Sequence, residues 1–214
     1  MIEESEGQSF KKIRHSIQNT SSVYKRQNTW IILEGPDCGG KTTLKQNLIK
    51  HLPQRFHSIH NSLYRSDYSA YEAYVHQANA FASEDCIFDR FYFSEYAYSI
   101  VMRDKLHDKA TQQLIETMNE INLTIDHKKS KEAYKSRVNI FHILCRPNIS
   151  ILIERWKERK RLDYEYIDKL NKYKELVSIY DTEFKDHLEL LRIKNNSINH
   201  TILVYDYTLD LNND

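Results

Sequence analysis

A chain of 214 residues, 40% hydrophobic and 29% charged, is long enough for one α/β domain with its own core and too apolar to be disordered. Its formal net charge of +1 sets up no global field toward nucleic acid or an anionic membrane, so any anion site has to be built locally. Cys38, Cys86 and Cys145 are widely spaced with no C-x-x-C pair, which argues against a disulfide framework and a structural zinc site, and no apolar run approaches the ~20 residues of a membrane span.

The first residues, "MIEESEG", are acidic where a targeting peptide would be basic, so a cytoplasmic, intracellular location is expected. Residues 1–28 are polar without sustained periodicity and read as a loosely docked or solvated extension, within which "FKKIRHSI" can form a short basic helix. A single domain is expected over 29–214, with no internal repeat and no composition shift.

"NTWIILE" (28–34) is a β-rich run that ends in glycine. "KTTLKQNLIKHL" (41–52) carries Leu44, Leu48 and Leu52 at helical spacing, and Pro53 closes it. A strand is expected over 56–64, a helix over 68–82, a buried strand over 85–89 and a helix over 94–103. Residues 108–137 predict one or two surface helices with a break around "TIDHKKS". "VNIFHILC" (138–145) is a strand, 148–161 and 166–191 are helical, and "HTILVYDY" (200–207) is the last strand. Strands alternating with helices in this way predict a parallel sheet covered on both faces.

Three of the four glycines fall in one window, Gly35-Pro36-Asp37-Cys38-Gly39-Gly40-Lys41-Thr42, followed by Thr43. The window fits G-x-x-x-x-G-K-[ST]. Backbone N–H groups can converge on a phosphate only where side chains do not block them, and the following helix adds its free N–H groups and positive dipole end. Lys41 would then reach the β- and γ-phosphates of ATP, and the Thr42 hydroxyl would ligate Mg²⁺.

Asp89 and Arg90 close the strand expected beside this loop, where an acid can hold Mg²⁺ or its waters, or accept a proton, and an arginine can grip a phosphate. From Glu154 to Arg161 there are five bases and two acids, and Arg155 and Arg159 share a helix face at i, i+4. Such a segment suits a lid, about 154–166, that brings cations to a transferring phosphoryl group and excludes water.

"EGPDCGGKTTL", "DRFYFSEYAYS" and "LIERWKERKRLDYE" together resemble the thymidylate kinase-like nucleoside and nucleotide kinases, including the deoxynucleoside monophosphate kinases of phages and viruses. The resemblance spans three islands within residues 28–180. It implies a five-stranded parallel sheet flanked by helices, ATP and Mg²⁺ as cofactors, phosphoryl transfer to a nucleoside 5′-monophosphate such as dTMP, and, in many members, a homodimer.

By position, Asp37 resembles the loop acid near the acceptor, Arg90 the arginine on the acceptor phosphate, and Asp89 its metal-side partner. Ser94 and Tyr98 align with S-x-x-A-Y, whose tyrosine lines the acceptor pocket. Two departures matter. Cys38 stands where some members carry an arginine, which leaves Arg159 as first choice for the transition-state cation and Arg155 or Arg161 next. The thymine-reading F-P-x-R segment is replaced by text in which Arg65 is the substitute. Two alternatives remain: a deoxynucleoside kinase, for which Tyr166, Leu170 and Tyr173 approach the family pattern and Glu72 is the nearest base, and a nucleotide-binding interaction module without turnover.

Overall fold

The computed structural model describes residues 7–23, 28–53, 55–61, 70–131, 138–159, 166–192 and 198–211. Two β-rich runs lie where their composition places them, β1 over Asn28–Glu34 and β4 over Val138–Cys145, and both are buried along almost their whole length. They pair in parallel, Ile31 opposite Phe141. Continuous burial explains why their sequences are near-continuous apolar runs rather than alternating ones. The remaining strands are β2 (His57–His60), β3 (Cys86–Asp89) and β5 (Ile198–Tyr205), and the five form one parallel sheet in the order β2-β3-β1-β4-β5.

The helices are α1 (Phe10–Val23), α2 (Lys41–His51), α3 (Ala70–Phe81), α4 (Tyr92–Arg103), α5 (His107–Lys131), α6 (Ile149–Arg159) and α7 (Tyr166–Arg192), with a short 3₁₀ turn at Tyr207–Leu209. Successive residues of β1 feed opposite faces of the sheet. Trp30 and Ile32 join a core built with α3, α4, α5 and α7, while Ile31 and Leu33 join a second core with Leu44 and Leu48 of α2 and Ile13 and Ile17 of α1. Both faces are therefore covered, as the alternation of elements predicts.

Two expectations are corrected. The segment read as a loosely docked extension holds α1, whose Ile13 and Ile17 are fully buried against the second core. Just before it, the Gln8 N–H donates to the Val204 carbonyl at 2.7 Å and the Asp206 N–H donates to the Gln8 carbonyl at 3.0 Å, so the chain adds a parallel bridge beside β5. Burying two isoleucines contributes about 3–6 kcal/mol, ample to dock an otherwise polar helix. The second correction is α5, which runs without a break through Thr124–Ser130 to Lys131. It is also no mere surface helix, since Ala110, Leu114, Met118, Ile121 and Ile125 are buried. No glycine or proline interrupts it, so the polar run costs the helix little.

Among the described residues, no helix is long and apolar enough to cross a membrane. The carboxyl ends of β1 and β3 bring Gly35, Asp89 and Arg90 to one edge of the sheet, beside the strand-order switch where open α/β sheets bind ligands.

Candidate active site

The chain leaves β1 through Gly35 at φ +134°, where a Cβ would lie 2.5 Å from the Cys145 carbonyl oxygen. It enters α2 through Gly40 at φ +90°, where a Cβ would meet the Tyr207 ring at 2.7 Å. Glycine is required at both positions for conformation and for space. Gly40 is also the N-cap of α2 and offers no side-chain cap, so the first-turn N–H groups face the cavity in front of the loop.

That cavity encloses about 490 Å³. Asp37, Cys38, Gly39, Gly40, Lys41, Thr42 and Thr43 line it from the loop, His60, Asp89 and Arg90 from the ends of β2 and β3, and Arg155, Glu158 and Arg159 from α6. One space thus gathers the loop, the Asp-Arg pair and two of the three lid arginines expected from sequence. Arg65 and Arg161 lie outside the described residues, as do positions 160–165 of the lid segment.

Lys41 is buried, and its ammonium donates to the carbonyl oxygens of Gly35 (2.6 Å) and Pro36 (2.7 Å). Burial and the nearby Arg90 bring its pKa down to about 8. The lysine thereby spans the loop it would serve, and exchanging one carbonyl for a phosphate oxygen restores a full ionic partner.

Arg90 has φ 70°, a left-handed backbone unusual for a non-glycine residue. One end of its guanidinium pairs with Asp37, and its plane lies over the Tyr98 ring at 4.8 Å. The other terminal nitrogen is buried with no hydrogen-bond acceptor among the described residues. That nitrogen is closed off from solvent on the Tyr98 side, while the residue itself lines the cavity.

Asp89 is engaged from two sides. The Lys45 ammonium lies 2.8 Å and the His60 Nδ1 3.1 Å from its Oδ2. Burial opposes its charge, but the hydrogen bond and charge of Lys45, with those of His60, outweigh it and hold the carboxyl below the ordinary aspartate value. Thr42 and Asp89 offer the hard oxygen donors that Mg²⁺ prefers. No group of three or more His, Cys, Asp or Glu residues fit to cage a metal occurs among the described residues.

α6 is tied to the loop by aromatic contacts through α7. Trp156 stacks on Tyr173 at 5.0 Å, and the Tyr173 hydroxyl donates to the Asp37 carbonyl at 2.5 Å. The Arg155 guanidinium lies over the Tyr207 ring at 4.2 Å, and Arg159 lines the cavity from the last turn of α6. Burial pushes the Cys38 thiol up from its ordinary value more than Arg159 lowers it.

Two expected acceptor residues stand behind the cavity wall. Ser94 is fully buried, with its hydroxyl committed to Glu34 and to the Tyr180 hydroxyl at 2.8 Å. Tyr98 is buried beneath Arg90 and supports it. Glu72 lines a different groove, between α3 and α5, together with Tyr71, Glu116 and Glu120.

Sequence reasoning missed three groups. Lys45 follows Lys41 by one helical turn, a spacing that could have flagged it. His60 closes a strand whose polar sequence gave no signal. Glu34 sits at the last position of β1, where a buried carboxylate is unexpected; burial outweighs its hydrogen bonds to Ser94 and pushes its pKa up to about 7.

No protein-family model matches the chain, and no curated protein matches its sequence. Solved structures do resemble it in shape. The deoxyadenosine kinase of M. mycoides with bound dATP aligns over 86% of this chain and 93% of its own, at 16% identity and TM-score 0.51. Polyphosphate kinase 2 of Arthrobacter aurescens aligns over 91% of this chain and 67% of its own, at 12% identity and TM-score 0.50. The chain shares their fold, a five-stranded parallel sheet flanked by helices. The YorR protein of Bacillus subtilis, in complex with phosphorylated GDP, aligns over 84% of this chain and 86% of its own at 22% identity, with TM-score 0.49.

Proposed function

We propose that the chain is an ATP-dependent phosphotransferase that passes the γ-phosphoryl group to a nucleoside 5′-monophosphate, with dTMP or a related pyrimidine deoxynucleotide as the preferred acceptor. The observation that carries this reading is the pair of buried cations in one cavity. Lys41 belongs to the loop that would hold the ATP phosphates, and Arg90, paired with Asp37, lines the same cavity from the end of the neighbouring strand.

In this reading the loop amides and the α2 N-terminus hold the polyphosphate, and Arg90 holds the acceptor phosphate. An acceptor phosphate oxygen bonds to the γ-phosphorus as the bond from that phosphorus to the β–γ bridging oxygen breaks, and ADP departs. Lys41 and Arg159 stabilise the charge spread over the transferring oxygens, Arg155 orients the polyphosphate and α6 excludes water. Thr42 and Asp89 would hold Mg²⁺, which neutralises charge between the β- and γ-phosphates when bound.

A nucleoside acceptor would need a base for its hydroxyl; Glu72 faces the groove between α3 and α5 instead, and of the carboxylates that line the cavity, Asp37 is paired with Arg90 and Asp89 with Lys45 and His60, which leaves Glu158. A monophosphate oxygen is already anionic and needs only a cation. ADP release measured against a panel of nucleosides and monophosphates tests the proposal. Release with monophosphates alone supports it, release with nucleosides overturns the choice of acceptor, and release with neither points to an interaction module.

A further inference from the structure

Arg90 can serve an acceptor anion only if its left-handed turn is held, since a non-glycine residue at φ 70° is strained by about 1 kcal/mol or more. Three contacts hold it. The Arg90 N–H donates to the Leu33 carbonyl at 3.0 Å. The Arg90 carbonyl accepts from Asn61 Nδ2 at 2.8 Å, and Asn61 is itself oriented by Gln77 at 2.7 Å. The next amide, Phe91 N–H, donates to Glu34 Oε1 at 3.1 Å.

Two of these contacts come from the end of β1 that leads into the phosphate-binding loop, Leu33 through its backbone and Glu34 through its side chain, and of those two only Glu34's depends on the side chain. Glu34 immediately precedes Gly35 and is 1% exposed. Its second oxygen accepts from Ser94, whose hydroxyl also pairs with Tyr180 of α7. One carboxylate therefore ties the mouth of the loop, the turn after β3 and α7 together, and none of Glu34, Ser94 or Tyr180 lines the cavity. A buried carboxylate is an expensive fastening where packed apolar residues would serve stability as well.

We infer that Glu34 is a positioning residue: through the Phe91 amide it holds Arg90 aimed at the acceptor anion, in register with the loop that holds the donor. This rests on the reading of Arg90 as the acceptor's cation. The chemistry stays with Arg90 and Lys41, and Glu34 touches neither substrate.

The experiment compares Glu34→Ala, Glu34→Gln and Ser94→Ala, with KM for ATP and for the preferred monophosphate determined separately and folding checked by circular dichroism. Glu34→Ala should raise the acceptor KM by ~10- to 100-fold, the loss of one charge-assisted hydrogen bond, with the ATP KM changed less than about twofold. Glu34→Gln should recover most of that loss, because its amide oxygen accepts from Phe91 and its NH₂ donates to Ser94. An unchanged acceptor KM in Glu34→Ala, equal changes in both constants, or a glutamine variant as impaired as the alanine one would overturn the inference.

Should Glu34→Ala not fold, Ser94→Ala decides. It should raise the acceptor KM several-fold with the ATP KM unchanged, and no change refutes the role. If the wild type transfers to no acceptor, the proposed function fails instead. Glu34 is then judged by the Arg90 guanidinium resonance in NMR, which should be resolved and slowly exchanging in wild type and lost in Ser94→Ala; equal signals in both refute the positioning role.

Discussion

Replacing Glu34 by glutamine should stabilise the chain above neutral pH while leaving its stability near pH 5 little changed. The carboxyl is 1% exposed, and burial moves it from an ordinary 4.5 to about 7 in spite of Ser94. That displacement corresponds to about 3 kcal/mol. Because the folded value is raised, the folded chain keeps a proton that the unfolded chain gives up. The stability linked to Glu34 is therefore complete below about 4.5 and is lost as pH rises through about 7. Glutamine is neutral throughout and keeps both contacts, provided the Ser94 hydroxyl turns its proton toward Tyr180. Part of the gain is lost with the charge-assisted hydrogen bonds, leaving about 1–3 kcal/mol at pH 8.5. For a chain of this length that is a rise of several degrees in Tm. Thermal and urea unfolding of both proteins at pH 5, 7 and 8.5 supplies the comparison. A glutamine variant no more stable than wild type at pH 8.5, or a gap that does not shrink toward pH 5, would refute the reasoning.

Lys41→Ala should lower kcat by several orders of magnitude with the fold intact, since it removes charge stabilisation from the transferring group; steady-state kinetics with a circular dichroism control would expose any wild-type-like turnover. In Arg90→Ala the acceptor KM should rise far more than the ATP KM, and equal rises would place the residue on the wrong substrate. Ile13→Ala should cost about 2–5 kcal/mol in chemical unfolding, because the side chain is fully buried between α1 and the sheet; a cost near zero would show that α1 contributes nothing to the core.

The sheet was legible because β1 and β4 are mostly apolar and the glycines mark where β1 must turn. α1 was not, because its stripe is only Phe10, Ile13 and Ile17 in a polar helix whose stability comes from partners far along the chain. The break expected in α5 came from weighing charge over continuity, and charged residues alone do not end a helix.

Within the site, residues announced by spacing were found together: the loop, Asp89-Arg90, and Arg155 with Arg159. Ser94 shows where motif matching stops, because its position matched while its hydroxyl turns inward to Glu34. Glu34, Lys45 and His60 act through partners on other elements, and nothing local in a sequence declares such pairs.

Isothermal titration of the intact chain with ATP, with and without magnesium, probes the phosphate-binding loop without presuming any acceptor. Saturable binding at a single site, weakened in Lys41→Ala, is the expected result. A flat titration under both conditions would contradict the reading of this cavity as a triphosphate site and everything derived from it.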